Sequence, residues 1–163
     1  MTLLQRDTKI DTQADNQAAS NERSLKLALA AARTAEDNRG EDIVVLDLRG
    51  QTPVFDYFVI ATGSSRRQLH AISEEIDHRL EDDLGDKRMG IEGYNESRWI
   101  LLDYGSIVVH LLDAETRAYY ALEELWSDAE RVPLPWQKIE AAQTPADPTP
   151  SDPPSSDPSS ADS

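Results

Sequence analysis

From Trp99 to Leu112 the chain is almost wholly apolar, and a single Gly105-Ser106 pair interrupts it. Glycine at the first central position favours a two-residue hairpin of type II′. Tyr104 then pairs with Ile107, and the register runs back along 99–104 and 107–112. In that register one face carries Ile100, Leu102, Tyr104, Ile107, Val109 and Leu111. The other carries Trp99, Leu101, Val108 and Leu112, with Asp103 and His110 among them. The first face is core. The second is either another core layer or a surface kept for a partner.

The rest of the pattern supplies elements around this hairpin. Leu25, Ala28, Leu29, Ala32 and Ala35 recur at helical spacing, and Gly40 is placed to end that helix. DIVVLDL (42–48) and DYFVIATG (56–63) read as strands, the second apolar enough to be central. A second helix follows, with a capping box at Ser65 and Gln68 and a buried stripe of Leu69, Ile72, Ile76 and Leu80. Gly85, Gly90 and Gly93 mark a loop with one short strand near 89–92. Asp113 is the expected N-cap of a third helix, 114–128, with Ala118, Leu122 and Leu125 facing inward. These elements give an α/β (α+β) fold, a mixed β-sheet of about five strands with flanking helices. A right-handed crossover through the second helix would set strand 56–62 parallel to a later one.

The ends differ from this body. Residues 1–19 are polar without a sustained apolar period, so a flexible N-terminal extension is expected there. Six of the nine prolines fall after Gln143, where the remaining apolar side chains are alanines. Residues 138–163 are therefore expected to be a disordered, acidic tail rich in Pro, Ser and Asp. The domain between spans 20–137. Nothing in the chain reaches the ~18 consecutive apolar residues of a membrane span. No basic and then apolar stretch at the N-terminus marks a secretory signal. The absence of cysteine removes thiol chemistry and accords with a cytoplasmic location.

The net charge is −15, and the body shares in it: between Arg23 and Gln137 stand 13 basic and 22 acidic residues. Phosphate-backbone or sequence-specific nucleic-acid binding is not expected of such a surface, whereas a basic protein partner is.

Several groupings invite chemistry. ATGSSRRQ (61–68) places Gly63, Ser64 and Ser65 before a helix with Arg66 and Arg67 beside it, the setting of an anion site. It lacks the second glycine and the lysine of a P-loop, and capping explains it more simply. The nucleotidyltransferase fold has a similar turn, but needs two carboxylates on a following strand to hold Mg²⁺. Here Asp103 stands alone. His110, diagonal to Asp103, allows a His–carboxylate dyad, though no nucleophile accompanies it. His70 and Glu74 look like a solvated helix pair. Tyr119, Tyr120, Glu123 and Trp126 crowd the third helix beyond what one stripe can bury, which suits an interface.

DIVVLDLRG, DYFVIATGSSRRQ, GIEG, WILLDYGSIVVH and RAYYALEELW, in this order, closely resemble the ribosomal silencing factor (Iojap-like) family over roughly 23–128. The resemblance implies a nucleotidyltransferase-like fold without the catalytic carboxylates, and no enzyme activity or cofactor. It also implies binding to the large ribosomal subunit through its protein fourteen, exclusion of the small subunit, repression of translation under nutrient limitation, and a homodimer. The partner-binding residues expected from hairpin and helix together are Trp99, Leu101, Asp103, Tyr104, His110, Tyr119, Tyr120, Glu123 and Trp126. The readings left beside this one are a nucleotide-binding or nucleotidyltransferase-like enzyme and an adaptor for another basic protein.

Overall fold

The computed structural model describes the backbone of residues 4–137 and the side chains of 11–137. Helix α1 (Leu4–Asp37) leads into β1 (Glu41–Asp47), β2 (Tyr57–Thr62) and α2 (Arg66–Asp77). The last continues as one π-helical stretch, His78–Asp83. Then come β3 (Gly90–Glu92), β4 (Trp99–Asp103), β5 (Ile107–Leu112), α3 (Ala114–Tyr120), α4 (Leu122–Leu125) and β6 (Glu130–Arg131). The sheet has six strands in the order β3-β4-β5-β2-β1-β6. Only β2 and β5 are parallel, Tyr57 beside Ile107 through Thr62 beside Leu112. A parallel pair needs a long crossover, and α2 lies within it. Every residue of both strands is buried, which is why they read as unbroken apolar runs rather than alternations.

The hairpin register is the expected one: Leu102 faces Val109, Leu101 faces His110, and Tyr104 N–H donates to Ile107 O at 3.0 Å. Alternation along the strands then sorts side chains into two cores. The larger holds Val45, Val59, Ile100, Leu102, Ile107, Val109 and Leu111 against α1 and α2. Alanines at 28, 31, 32 and 35 let α1 lie close on the sheet, while Leu69, Ile72, Ile76 and Leu80 project from the α2 side. The opposite face carries a smaller core of Leu46, Leu48, Phe58, Ile60, Val108, Leu112 and Leu122. The second face of the hairpin is thus a core layer at its centre.

Four expectations change. Helix α1 begins at Leu4 and runs through residues read as an irregular extension; 11–20 are helical and fully exposed, so they touch no core and show no apolar period. Strand β6 adds a sixth strand that no apolar pattern announces. It pairs with β1 at Leu46 and Asp47 through the backbone, and is anchored by buried Leu134 just beyond it. The third helix is broken at Ala121, whose φ of 46° is left-handed. The break turns Leu122 into the smaller core and leaves Ala118 and Leu125 outside. Gln68 caps one residue off the expected box: Ser65 Oγ accepts from Gln68 N–H at 3.1 Å, but Gln68 Oε1 takes the N–H of Ser64. The proposed 138–163 tail lies outside the described residues.

Candidate functional site

The smaller core runs as far as Leu112 and partly covers Trp99, at the end of the sheet where β4 begins and β5 ends. Asp113, just after β5, accepts from Thr116 N–H at 2.7 Å and caps α3. Arg98 donates to Asp113 at 3.1 Å and to Glu115 at 2.7 Å, tying the entry of β4 to the start of α3. This brings Trp99 beside Tyr120, ring centroids 4.9 Å apart, and Tyr120 beside Tyr119 at 5.0 Å. The three rings line an open groove of about 570 Å³ with Glu96, Arg98 and Thr116 on its rim. Tyr119 is 81% exposed and Tyr120 53%, large aromatic surfaces with no neighbour to cover them among the described residues.

Gly93 shapes the floor. Its φ is +73°, and a Cβ there would collide with the carbonyl oxygen of Trp99, so only glycine lets this loop lie against β4. The loop is fastened from below by His70, which was expected to be a solvated partner of Glu74. Its ring stacks on Tyr94 at 4.2 Å, its Nε2 lies 2.7 Å from Tyr94 O, and Tyr94 OH donates to Glu74 at 2.9 Å. His70 Nε2 also lies 2.5 Å from Ser97 Oγ, the contact a nucleophile and base would share. Ser97 is 1% exposed, however, and its hydroxyl donates to Tyr94 O, so this pair clasps a loop.

The structure divides the nine expected partner residues. Tyr119 and Tyr120 form the bare face, and Trp99, partly buried on the smaller core, joins it through Tyr120. Leu101 and Trp126 flank the smaller core, the Trp126 ring meeting Phe58 edge-on at 5.8 Å. Glu123 is half-buried and bound by Arg117, whose guanidinium also donates to Thr62 at 2.8 Å. Burial opposes the Glu123 charge, yet the bonds from Arg117 hold its carboxyl below the usual range. Asp103 closes the hairpin by accepting Gly105 N–H at 2.8 Å. Two residues leave the set. Tyr104 is on the larger-core face, its hydroxyl on Asp77, because its position in the hairpin has the parity of Ile100 and Leu102. His110 is 4% exposed beneath Trp99 and Phe58.

The His110–Asp103 dyad is absent too. His110 Nδ1 accepts the indole N–H of Trp99 at 3.1 Å, and burial pushes its pKa down to about 4. The anion site at 61–68 is filled by its own side chains: Gln68 Oε1 takes both the N–H and the hydroxyl of Ser64, and Arg66 donates to Asn95 O. Among the described residues no group of three or more His, Cys, Asp or Glu is placed to hold a metal ion.

Fold and face together define an α+β domain presenting an aromatic platform. Residues 21–161 match the family described as ribosomal silencing factor during starvation, and the chain belongs to that family. It is 46% identical over 105 residues to ribosomal silencing factor RsfS of Bacillus subtilis, covering 64% of this chain and 86% of that one. Its counterpart in Halalkalibacterium halodurans is 38% identical over 115 residues, covering 71% and 95%. The fold is similar to a crystal structure of a protein from Chromobacterium violaceum, with a TM-score of 0.61 at 34% identity over 63% of this chain and 85% of that one.

Proposed function

We propose that this protein binds the large ribosomal subunit through the subunit's protein fourteen and keeps the small subunit from joining. Translation is thereby repressed when nutrients are short, in the cytoplasm, by a factor that works as a homodimer and without catalysis. The observation that carries this reading is the Trp99–Tyr120–Tyr119 platform. A domain with two filled cores has no internal use for a tyrosine left 81% exposed, and Tyr and Trp are the side chains that anchor interfaces. Blocking needs no chemistry: burying ~800 Å² per partner gives a specific complex, and the bulk of the docked domain does the rest. The acidic body steers the encounter toward a basic partner.

Co-sedimentation with separated subunits tests this. The chain is expected to pellet with the large subunit alone; pelleting with neither, or with the small one, ends the reading. Tyr119→Ala is the sharp variant, because so exposed a ring contributes little to folding. It is expected to weaken large-subunit binding at least ~10-fold, about 1.4 kcal/mol, with an unchanged melting curve. Asp103→Lys is a poorer probe, since it also removes the bond that closes the hairpin.

A further inference from the structure

The platform has a candidate occupant within its own chain. We propose that the proline-rich stretch from Pro145 to Pro158 docks on the Trp99–Tyr120–Tyr119 groove as a reversible internal ligand and competes there with the outside partner. The competition rests on the reading of the groove as the partner surface; the docking itself does not.

Three observations converge. The first is chemical fit. Between Pro145 and Pro158 the apolar side chains are six prolines and Ala146, and aromatic-lined grooves take such segments because a polyproline II strand is already ordered before it binds. The second is spacing. Polyproline II has three residues per turn, so Pro145 and Pro148, or Pro150 and Pro153, share one edge about 9 Å apart. The groove offers consecutive rings at 4.9 and 5.0 Å, so successive prolines on such an edge have a ring on either side of Tyr120 to meet.

The third is reach. The described residues end at Gln137, whose side chain donates to Glu36 at 3.3 Å, by the end of α1. Gln137 shares a cleft with Arg117 of α3, and Tyr120 lies one helical turn beyond Arg117. Chain exit and groove therefore share one end of the strands, the exit at the β1–β6 edge and the groove three strands away at β4, or roughly 14 Å across the sheet. Seven residues lie between Gln137 and Pro145, and a flexible chain of that length spans roughly 15 Å. Tethering so short holds the ligand at an effective concentration on the order of millimolar, so weak contacts suffice.

Charge gives the proposal a signature of its own. Residues 138–163 carry one lysine against five acidic residues, on a body that is itself acidic. Docking works against repulsion, so added salt strengthens it. Binding of a basic partner to the same groove would respond the other way.

The chain has no cysteine, so Ser155→Cys can carry a nitroxide at a single known place in the full-length, ¹⁵N-labelled protein. The expected result is a roughly twofold or larger loss of signal at the Trp99 indole and at Thr116, Tyr119 and Tyr120, deepening with salt and sparing Gly105 at the far hairpin tip. Replacing Pro145, Pro148, Pro150 and Pro153 by serine should restore those signals, as should Tyr119→Ala judged on the remaining probes. Uniform or absent broadening overturns the proposal, and so does broadening that survives the serine substitutions. So does broadening that appears only when unlabelled spin-bearing chain is mixed with labelled spin-free chain, which would place the tail of a second copy in the groove. The ribosome plays no part in this readout, so a failed co-sedimentation leaves it standing.

Discussion

Trp99 gives its indole proton to His110 Nδ1, which fixes the imidazole as the tautomer protonated at Nε2. That Nε2 is buried without a partner among the described residues. A second proton would make Nδ1 a donor facing a donor, in an apolar layer between Phe58 and Trp99. Burial accordingly lowers the pKa from 6.5 to about 4. The folded state therefore takes up its proton only at lower pH than the unfolded chain does. Stability present above pH 6.5 is lost as the pH falls toward 4, by about 3 kcal/mol in all. Carboxylates such as Asp47, held below the usual range chiefly by Arg49, lose their contribution further down, as pH falls through 3.8 and below. Between pH 6.5 and 5 His110 contributes a slope of this sign. Urea titrations across that window should show it in the parent and flatten in His110→Gln, whose amide oxygen can still accept the indole. An equal slope in both proteins would assign the acid sensitivity elsewhere.

At the scale of elements, the break between α3 and α4 decides which side chains face out. Ala121 holds φ 46° without being glycine, a conformation that costs an L-residue ~1 kcal/mol. Ala121→Gly should relieve that and raise unfolding stability by roughly 0.5–1 kcal/mol, read as a higher urea midpoint at unchanged slope. Gly93→Ala should do the reverse by several kcal/mol, since it meets both a positive φ and the Trp99 carbonyl; a melting curve within a degree of the parent would contradict the account of the loop.

The same break marks how far the sequence can be read. The hairpin register and the α2 stripe follow from apolar period and turn chemistry, and the crossover rule makes β2 parallel to a later strand; that this strand is β5 is seen only in the fold. RAYYALEELW carries a continuous helical period, so nothing local announces a stop at Ala121; the stop comes from Arg117, Glu123 and Thr62 meeting across the fold. β6 is equally silent, because a strand paired through backbone alone leaves no trace in side chains. Of the candidate site, Tyr119 and Tyr120 were visible as an excess of aromatics on the third helix, and Trp99 as a residue on the second face of the hairpin. Tyr104, which hairpin parity already set on the core face, and His110 are both buried; for His110 what the sequence hid is the depth to which Trp99 and Phe58 cover the second face.

For the molecule as a whole, charge and partner size govern behaviour. The body from Arg23 to Gln137 is acidic by nine charges, and a field of one sign speeds encounter with an opposite surface and is screened by salt over ~10 Å at 0.1 M. Stopped-flow association with the large subunit should therefore slow several-fold between low and physiological salt. A rate that stays flat would remove steering from the account. The exposed 11–20 stretch of helix α1 lies outside the cores, and on the function proposed above it would widen the volume from which the docked domain excludes other bodies.

The order of strands has a consequence for how anything can be recognised. The sheet ends on one side in β3, three residues long, and on the other in β6, two residues long and both charged. A rim so brief offers few unpaired amides and carbonyls, too few to template a further strand from another chain. Recognition by backbone annexation, which reads little of the visitor's sequence, finds little purchase on either outermost strand. A partner is then grasped by side chains on a face, and on the function proposed above selectivity resides in a few rings that mutation can change one at a time.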